Sequence, residues 1–131
     1  MLSDWFRVKK NRLRRAGTHV LRVVKHRRPR IIVSMTSYPA RINTVHLAIR
    51  SLLAQKVLPD KIVLWLCKSD FPNREADLPQ SLRDVLWHDV EVRWVDDDLK
   101  PHKKYFWALQ EFPDDYVITT DDDLLYRNTM I

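Results

Sequence analysis

The sequence predicts an α/β domain built on an open, mainly parallel sheet and preceded by a basic, helical arm. Three observations carry this. From Ile31 onward, short β-branched runs alternate with amphipathic helical patterns, the order that builds parallel sheets with helical crossovers. Polar residues follow the end of each strand run, where ligand-bearing loops of such sheets gather. Positive charge is concentrated in the first thirty residues.

Residues 5–24 set Trp5, Phe6, Val8, Leu13, Val20 and Val24 among many cations, which predicts an amphipathic basic helix bent near Gly17. Arg27-Arg28-Pro29-Arg30 ends it, because proline disfavours helix at the residue before it. Ile31–Met35 is the first strand. A helix over 43–55 places Val45, Ile49, Leu52 and Leu53 on one face. Pro59-Asp60 turns the chain into a second strand at 61–66. Pro79 suits the first position of a short helix to Leu86. Val90, Val92 and Trp94 alternate with Glu91 and Arg93, a third strand with one polar face. A helix over 102–111 leads to the fourth strand, Tyr116–Thr120.

Residues 1–30 hold eleven Lys or Arg against the single acid Asp4, a net of +10. Residues 31–131 hold twelve against sixteen acids, a net of −4. The overall +6 therefore describes an arm (1–30) joined to a mildly acidic domain (31–131). Cys67 is the sole cysteine, which excludes an intrachain disulfide and fits a reducing, cytoplasmic compartment. No apolar run reaches the ~20 residues of a membrane span, and the N-terminus lacks the uncharged core of a secretory signal. Gly17 is the only glycine. Glycine-rich phosphate loops are thus excluded from the domain, and a phosphate must be held by a metal, by side chains or by non-glycine backbone.

Asp121-Asp122-Asp123, directly after the fourth strand, is the most informative cluster. Crowded carboxylates call for neutralisation, and a hard divalent cation bound through oxygen is the usual means. In an extended segment Asp121 and Asp123 share a face and could hold one cation, or one a cation and the other a ribose. A solvated acidic turn is the plain alternative. Asp96-Asp97-Asp98 is a second triple, expected to pair with Lys100, Lys103 or Lys104. Lys100, His102, Lys103 and Lys104 open the third helix, where cations oppose the dipole unless an anion is bound. Thr36-Ser37-Tyr38-Pro39-Ala40-Arg41 offers hydroxyls, an aromatic ring and a guanidinium, or simply an ordinary strand–helix loop. His46 and His88 are read as non-catalytic, Cys67 as a small buried residue, and Trp65, Trp94, Phe106 and Trp107 as core.

Four segments together resemble the N-terminal half of a GT-A fold glycosyltransferase, close to glycosyltransferase family 2. Ile31-Ile32-Val33-Ser34-Met35-Thr36-Ser37-Tyr38 resembles its opening strand, and Ile49-Arg50-Ser51-Leu52-Leu53-Ala54-Gln55 its Ser-apolar-apolar-x-Gln helix. Pro59-Asp60-Lys61-Ile62-Val63-Leu64 resembles its second strand, and Thr120-Asp121-Asp122-Asp123 its D-x-D motif. The resemblance implies a Rossmann-like, partial GT-A fold. Thr36, Ser37 and Tyr38 would line the nucleotide pocket, with Asp70, Lys103 and Lys104 beside the base or phosphates. Asp121 would face ribose or metal, and Asp123 would bind Mg²⁺ or Mn²⁺, with Asp122 as the alternate ligand. Leu66-Cys67-Lys68 departs from the family, which often has an acid directly after the second strand; Asp70 comes slightly later.

The expected function is binding of a nucleotide-diphosphate sugar through a divalent metal, for surface polysaccharide or lipopolysaccharide synthesis. The acceptor half, which supplies the general base, would lie beyond Ile131, so the chain is expected to be incomplete as an enzyme, with an unidentified glycan or lipid-linked acceptor. The alternative is a non-catalytic protein whose arm binds an anionic membrane surface or nucleic acid. Trp5 and Phe6 favour the membrane, at the inner face, over nucleic acid.

Overall fold

The computed structural model describes residues 4–8, 13–15, 18–20, 23–87, 89–96 and 103–131, with side chains described from Arg28 onward except at Lys103. Four strands lie in the arm: β1 (Asp4–Val8), β2 (Leu13–Arg15), β3 (Thr18–Val20) and β4 (Val23–Arg27). β1 pairs antiparallel with β4, Val8 opposite Val23, and β2 pairs with β3, Leu13 opposite Val20. This corrects the expected arm helix. Trp5, Phe6, Val8, Val20, Val23 and Val24 are aromatic or β-branched and favour extended backbone.

The domain follows the predicted order. β5 (Ile31–Thr36), β6 (Lys61–Cys67), β7 (Val90–Val95) and β8 (Tyr116–Thr119) form one sheet in the order β7-β6-β5-β8, and every pairing in it is parallel. Helices α1 (Val45–Leu53), α2 (Gln80–Arg83) and α3 (Lys103–Glu111) connect them, with a 3₁₀ turn at Arg74–Asp77. Pro79 precedes α2 rather than opening it, and that helix is a single turn. Among the described residues no helix is long and apolar enough to cross a membrane.

Strand periodicity sorts the core into two layers. Val33 and Met35 of β5 join Ile62, Leu64 and Leu66 of β6 against Val45, Ile49 and Leu52 of α1 and Leu82 of α2. The alternate residues Ile32, Val63 and Trp65 meet Ala108 and Phe112 on the α3 side. With both faces covered, β5 and β6 read as nearly unbroken apolar runs. A nine-residue helix such as α1 is marginal alone. Its four buried residues Val45, Ala48, Ile49 and Leu52 hold it, each larger one contributing roughly 1.5–3 kcal/mol.

Polar contacts close the amino end of the sheet. Asp60 accepts the Ile31 N–H at 2.7 Å, and its own N–H donates to the Ile31 carbonyl at 2.9 Å. Asp115 accepts the Arg30 backbone N–H at 2.8 Å and both Nε (3.1 Å) and Nη2 (2.8 Å) of its guanidinium. On β7 the polar face is an ion-pair chain: Lys61–Glu91 at 3.2 Å, Glu91–Arg93 at 2.7 Å and Arg93–Glu111 at 2.7 Å, reaching α3.

Two further expectations change. Asp96 is exposed and pairs with Lys68 at 3.0 Å, because β7 ends beside β6 and the loop after it. Phe106 is 42% exposed, on the outer side of α3 from buried Ala108, while Trp65 is core at 3%. Buried Cys67 and partly buried Trp94 and Trp107 behave as read.

Partial burial opposes ionisation of Glu91, but hydrogen bonds and charge from Arg93 and Lys61 outweigh it, so its carboxyl titrates below its ordinary 4.5. A lowered folded value gives stability that is present above 4.5 and lost as pH falls through the folded value. Glu91→Gln is therefore expected to cost about 1 kcal/mol at pH 7 and progressively less in acid. Urea melts of both proteins from pH 7 to pH 3 read the convergence.

Candidate functional site

β5 leads to β6 and β7 on one side, whereas the connection from β7 through α3 returns to β8 on the other. The strand order thus reverses between β5 and β8. In open α/β sheets the crevice outside the carboxyl ends of the strands at such a reversal is where ligands bind. Asp121–Asp123 follow β8, and Thr36–Arg41 end β5 and run on from it, so both rims of this crevice are polar.

The β5 rim is a turn closed by the Arg41 N–H on the Tyr38 carbonyl at 2.9 Å, with Pro39 supplying the fixed φ such turns favour. The turn carries Arg41 back to the acids. Its Nη1 lies 3.0 Å from Asp122 Oδ1 and 3.0 Å from Asp123 Oδ2, and its guanidinium stands 5.5 Å from the Tyr38 ring centroid. The hydrogen bond to Asp122, then the charges of Asp122 and Asp123, hold Arg41 protonated even more firmly than usual.

The three acids differ. Asp122 is buried at 6% exposure and points inward: Oδ2 accepts the Ser37 hydroxyl at 2.7 Å while Oδ1 accepts Arg41. Asp121 and Asp123 are exposed on either side of it. Asp121 Oδ1 meets Lys104 Nζ at 2.7 Å. Lys104 is set by the sheet itself: the buried Ser34 hydroxyl of β5 donates to the Lys104 carbonyl and accepts Trp65 Nε1 at 2.8 Å.

The crevice thus gathers Ser37, Tyr38, Lys104, Asp121 and Asp123 of the expected residues, with Thr36 at the end of β5. Asp70 lies one strand away, in the turn after β6 where its N–H meets the Cys67 carbonyl at 3.1 Å. Arg74 closes that turn. It sits at φ 53, a left-handed conformation unusual for a side-chain-bearing residue, and its Nη1 donates to the Lys68 and Phe71 carbonyls at 2.9 and 2.8 Å. Lys103 begins α3, but its side chain, like His88, Asp97, Asp98, Lys100 and His102, lies outside the described residues. Half-buried His46 is in the first turn of α1. Sequence reasoning noted Arg41 without assigning it to the site; its place four residues after Ser37 in a proline turn was the available signal.

Three carboxylates face two cations, so the cluster keeps a net negative charge. Among the described residues no three His, Cys, Asp or Glu side chains form a ready metal cage. Mg²⁺ needs none, because it is commonly held by one or two carboxylates together with substrate phosphates. The residues fit that use. Asp121 and Asp123 are exposed hard-oxygen donors, and the buried Thr120 Oγ1 at the root of the cluster has no hydrogen-bond partner. A cavity of about 340 Å³ lined by Arg50, Ala54, Asp84 and Trp87 lies among residues leading into β6 and β7. It holds no comparable charge cluster.

Asp122→Ala is expected to cost about 2 kcal/mol in urea unfolding, because it strips partners from Ser37 and Arg41 at once. Asp123→Ala, which removes an exposed contact, should cost no more than about 0.5 kcal/mol. No family model matches the chain, and no curated protein matches it.

Proposed function

We propose that residues 31–131 form the nucleotide-diphosphate-sugar-binding half of a metal-dependent glycosyltransferase of the GT-A fold, akin to family 2, serving surface polysaccharide or lipopolysaccharide synthesis. One observation carries this: the acidic triple lies at the strand-order reversal, flanked by Arg41 and Lys104, with one acid locked inward and two presented outward.

In this reading Asp121 and Asp123 would hold Mg²⁺ or Mn²⁺. The metal would neutralise charge that builds on the departing nucleoside diphosphate. Arg41 and Lys104 then lie within reach of phosphate oxygens, where Arg41 can offer a planar fork of donors. Thr36 and Ser37 line the rim, and the exposed Tyr38 ring presents a face to the base. Asp122 serves as the anchor of the rim, since both its oxygens are engaged.

Thermal unfolding with Mn²⁺ and UDP or GDP tests the reading. Metal and nucleotide together should raise the melting temperature; at a hundred times the dissociation constant the gain is about 2.7 kcal/mol. Asp121→Asn/Asp123→Asn should stay folded and lose the effect. Absence of metal-dependent stabilisation by any nucleoside diphosphate in the wild-type chain would count decisively against it.

The arm's net charge of +10 supports a second, compatible role at an anionic membrane surface, on the cytoplasmic side. Deletion of residues 1–27 spares Arg28 and Arg30, which pair with Asp60 at 3.5 Å and Asp115 at 2.8 Å. The shortened chain should no longer sediment with phosphatidylserine vesicles. Sedimentation that survives the deletion would sink the arm as an anchor.

A further inference from the structure

Residues 120–131 have no helix or strand of their own, yet they carry the acids. What holds them is α1. Gln55, two residues past its end, is buried, and its Oε1 accepts the N–H groups of Met130 (3.0 Å) and Ile131 (3.2 Å). Its Nε2 donates to the Arg127 carbonyl at 2.6 Å. The Lys56 N–H donates to the Asn128 carbonyl at 2.7 Å. Ser51, one turn earlier, accepts the Tyr126 N–H at 3.0 Å on its hydroxyl, which donates to the Ala48 carbonyl at 2.7 Å. The Tyr126 phenol oxygen then accepts the Asp121 N–H at 2.7 Å. An unbroken hydrogen-bonded path runs from α1 to the backbone of the first carboxylate.

An apolar residue at position 55 would fill the same space and add hydrophobic stability. It would also strip a bond from three backbone groups: the Met130 N–H and the Arg127 carbonyl would keep only each other, at 3.1 Å, and the half-buried Ile131 N–H would lose its acceptor, a cost of about 1–3 kcal/mol. A buried amide that satisfies three backbone groups of one irregular segment fixes where that segment lies, beyond merely covering the core.

We propose that Ser51, Gln55 and Tyr126 are positioning residues that set the Asp121–Asp123 carboxylates for a divalent cation and the diphosphate it accompanies. This rests on the donor-site reading above. Asp122 fixes the acids from the β5 side through Ser37 and Arg41. The α1 latch fixes them from the opposite end of the segment, and Asp121, which lacks a buried partner for its own carboxylate, depends on it most.

The test uses the full chain with Tyr126→Phe, Ser51→Ala and Ser51→Thr, and Val85→Ala as a buried core control whose side chain makes no hydrogen bond in the latch. Mn²⁺ affinity is read by electron paramagnetic resonance at saturating UDP, beside the melting temperature of each ligand-free protein. Tyr126→Phe and Ser51→Ala should weaken Mn²⁺ roughly tenfold, as loss of a group that orients a metal ligand does. Ser51→Thr should restore it, and Val85→Ala should lower the melting temperature with affinity intact. Unchanged affinity in Tyr126→Phe and Ser51→Ala, or a loss that tracks melting temperature along the Val85→Ala trend, overturns the proposal. Should the wild-type chain bind no Mn²⁺ with UDP or GDP, the donor-site reading falls and amide exchange decides the latch. Roughly fivefold faster exchange at Asp121–Asp123 in Tyr126→Phe, with β5 amides unchanged, supports it; unchanged exchange at the acids overturns it.

Discussion

One buried carboxylate governs the crevice. Asp122 accepts Ser37 from the end of β5 and Arg41 from the turn into α1, so it joins the two strands between which the sheet order reverses. Both segments leave on the α1 side of the sheet, where Tyr126 and Ile131 pack in the α1 layer, and Asp122 ties them together at their roots. Taking a carboxylate out of water is costly unless it is paired and hydrogen-bonded to this degree. The pairing in turn dictates the outward pose of its neighbours: with Asp122 turned in, Asp121 and Asp123 are left at the surface.

The rest of the domain supplies rigidity to that contact. β5 is bonded at its amino end by Asp60 and at its middle by the Ser34–Trp65 pair. Ser34 is the one polar side chain in an otherwise apolar strand interior, and it is satisfied twice, by Trp65 and by the Lys104 carbonyl. The same strand therefore sets the height of α3 and with it the ammonium group opposite Asp121. Core packing and site geometry are not separate here: alternate residues of β5 serve the two apolar layers, and the polar exception aims a cation.

Much of this was legible in the residues. Apolar runs in β5 and β6 announce strands covered on both faces, and the spacing of Val45, Ile49 and Leu52 announces the helix between them. The order of polar clusters after each strand points Ser37, Tyr38, Lys104 and the acids to one edge of the sheet. The arm was misread because Val and Leu at mixed spacing suit either period, and only pairing between distant segments decides the matter. Which acid turns inward was also hidden. It depends on Arg41 folding back through a proline turn, a contact across 81 residues that local spacing does not encode. The partner of Asp96 followed the same rule: the adjacent strand supplied Lys68, while the lysines close in sequence were the expected choice.

In the free protein Asp121 and Asp123 are each met by a fixed cation, Lys104 or Arg41. A divalent ion arriving alone must displace those contacts and leave two cations crowded beside it, so its net gain is small. On the donor-site reading, a divalent ion arriving with a diphosphate would change the balance, because the displaced guanidinium and ammonium groups would have phosphate oxygens as new partners. On the donor-site reading Arg41 would keep its hydrogen bond to buried Asp122 and release only Asp123. On the donor-site reading, metal and nucleotide binding are thus coupled by the cluster's own cations, and the coupling resides in the three side chains Arg41, Lys104 and Asp122 that bear charge without being metal ligands.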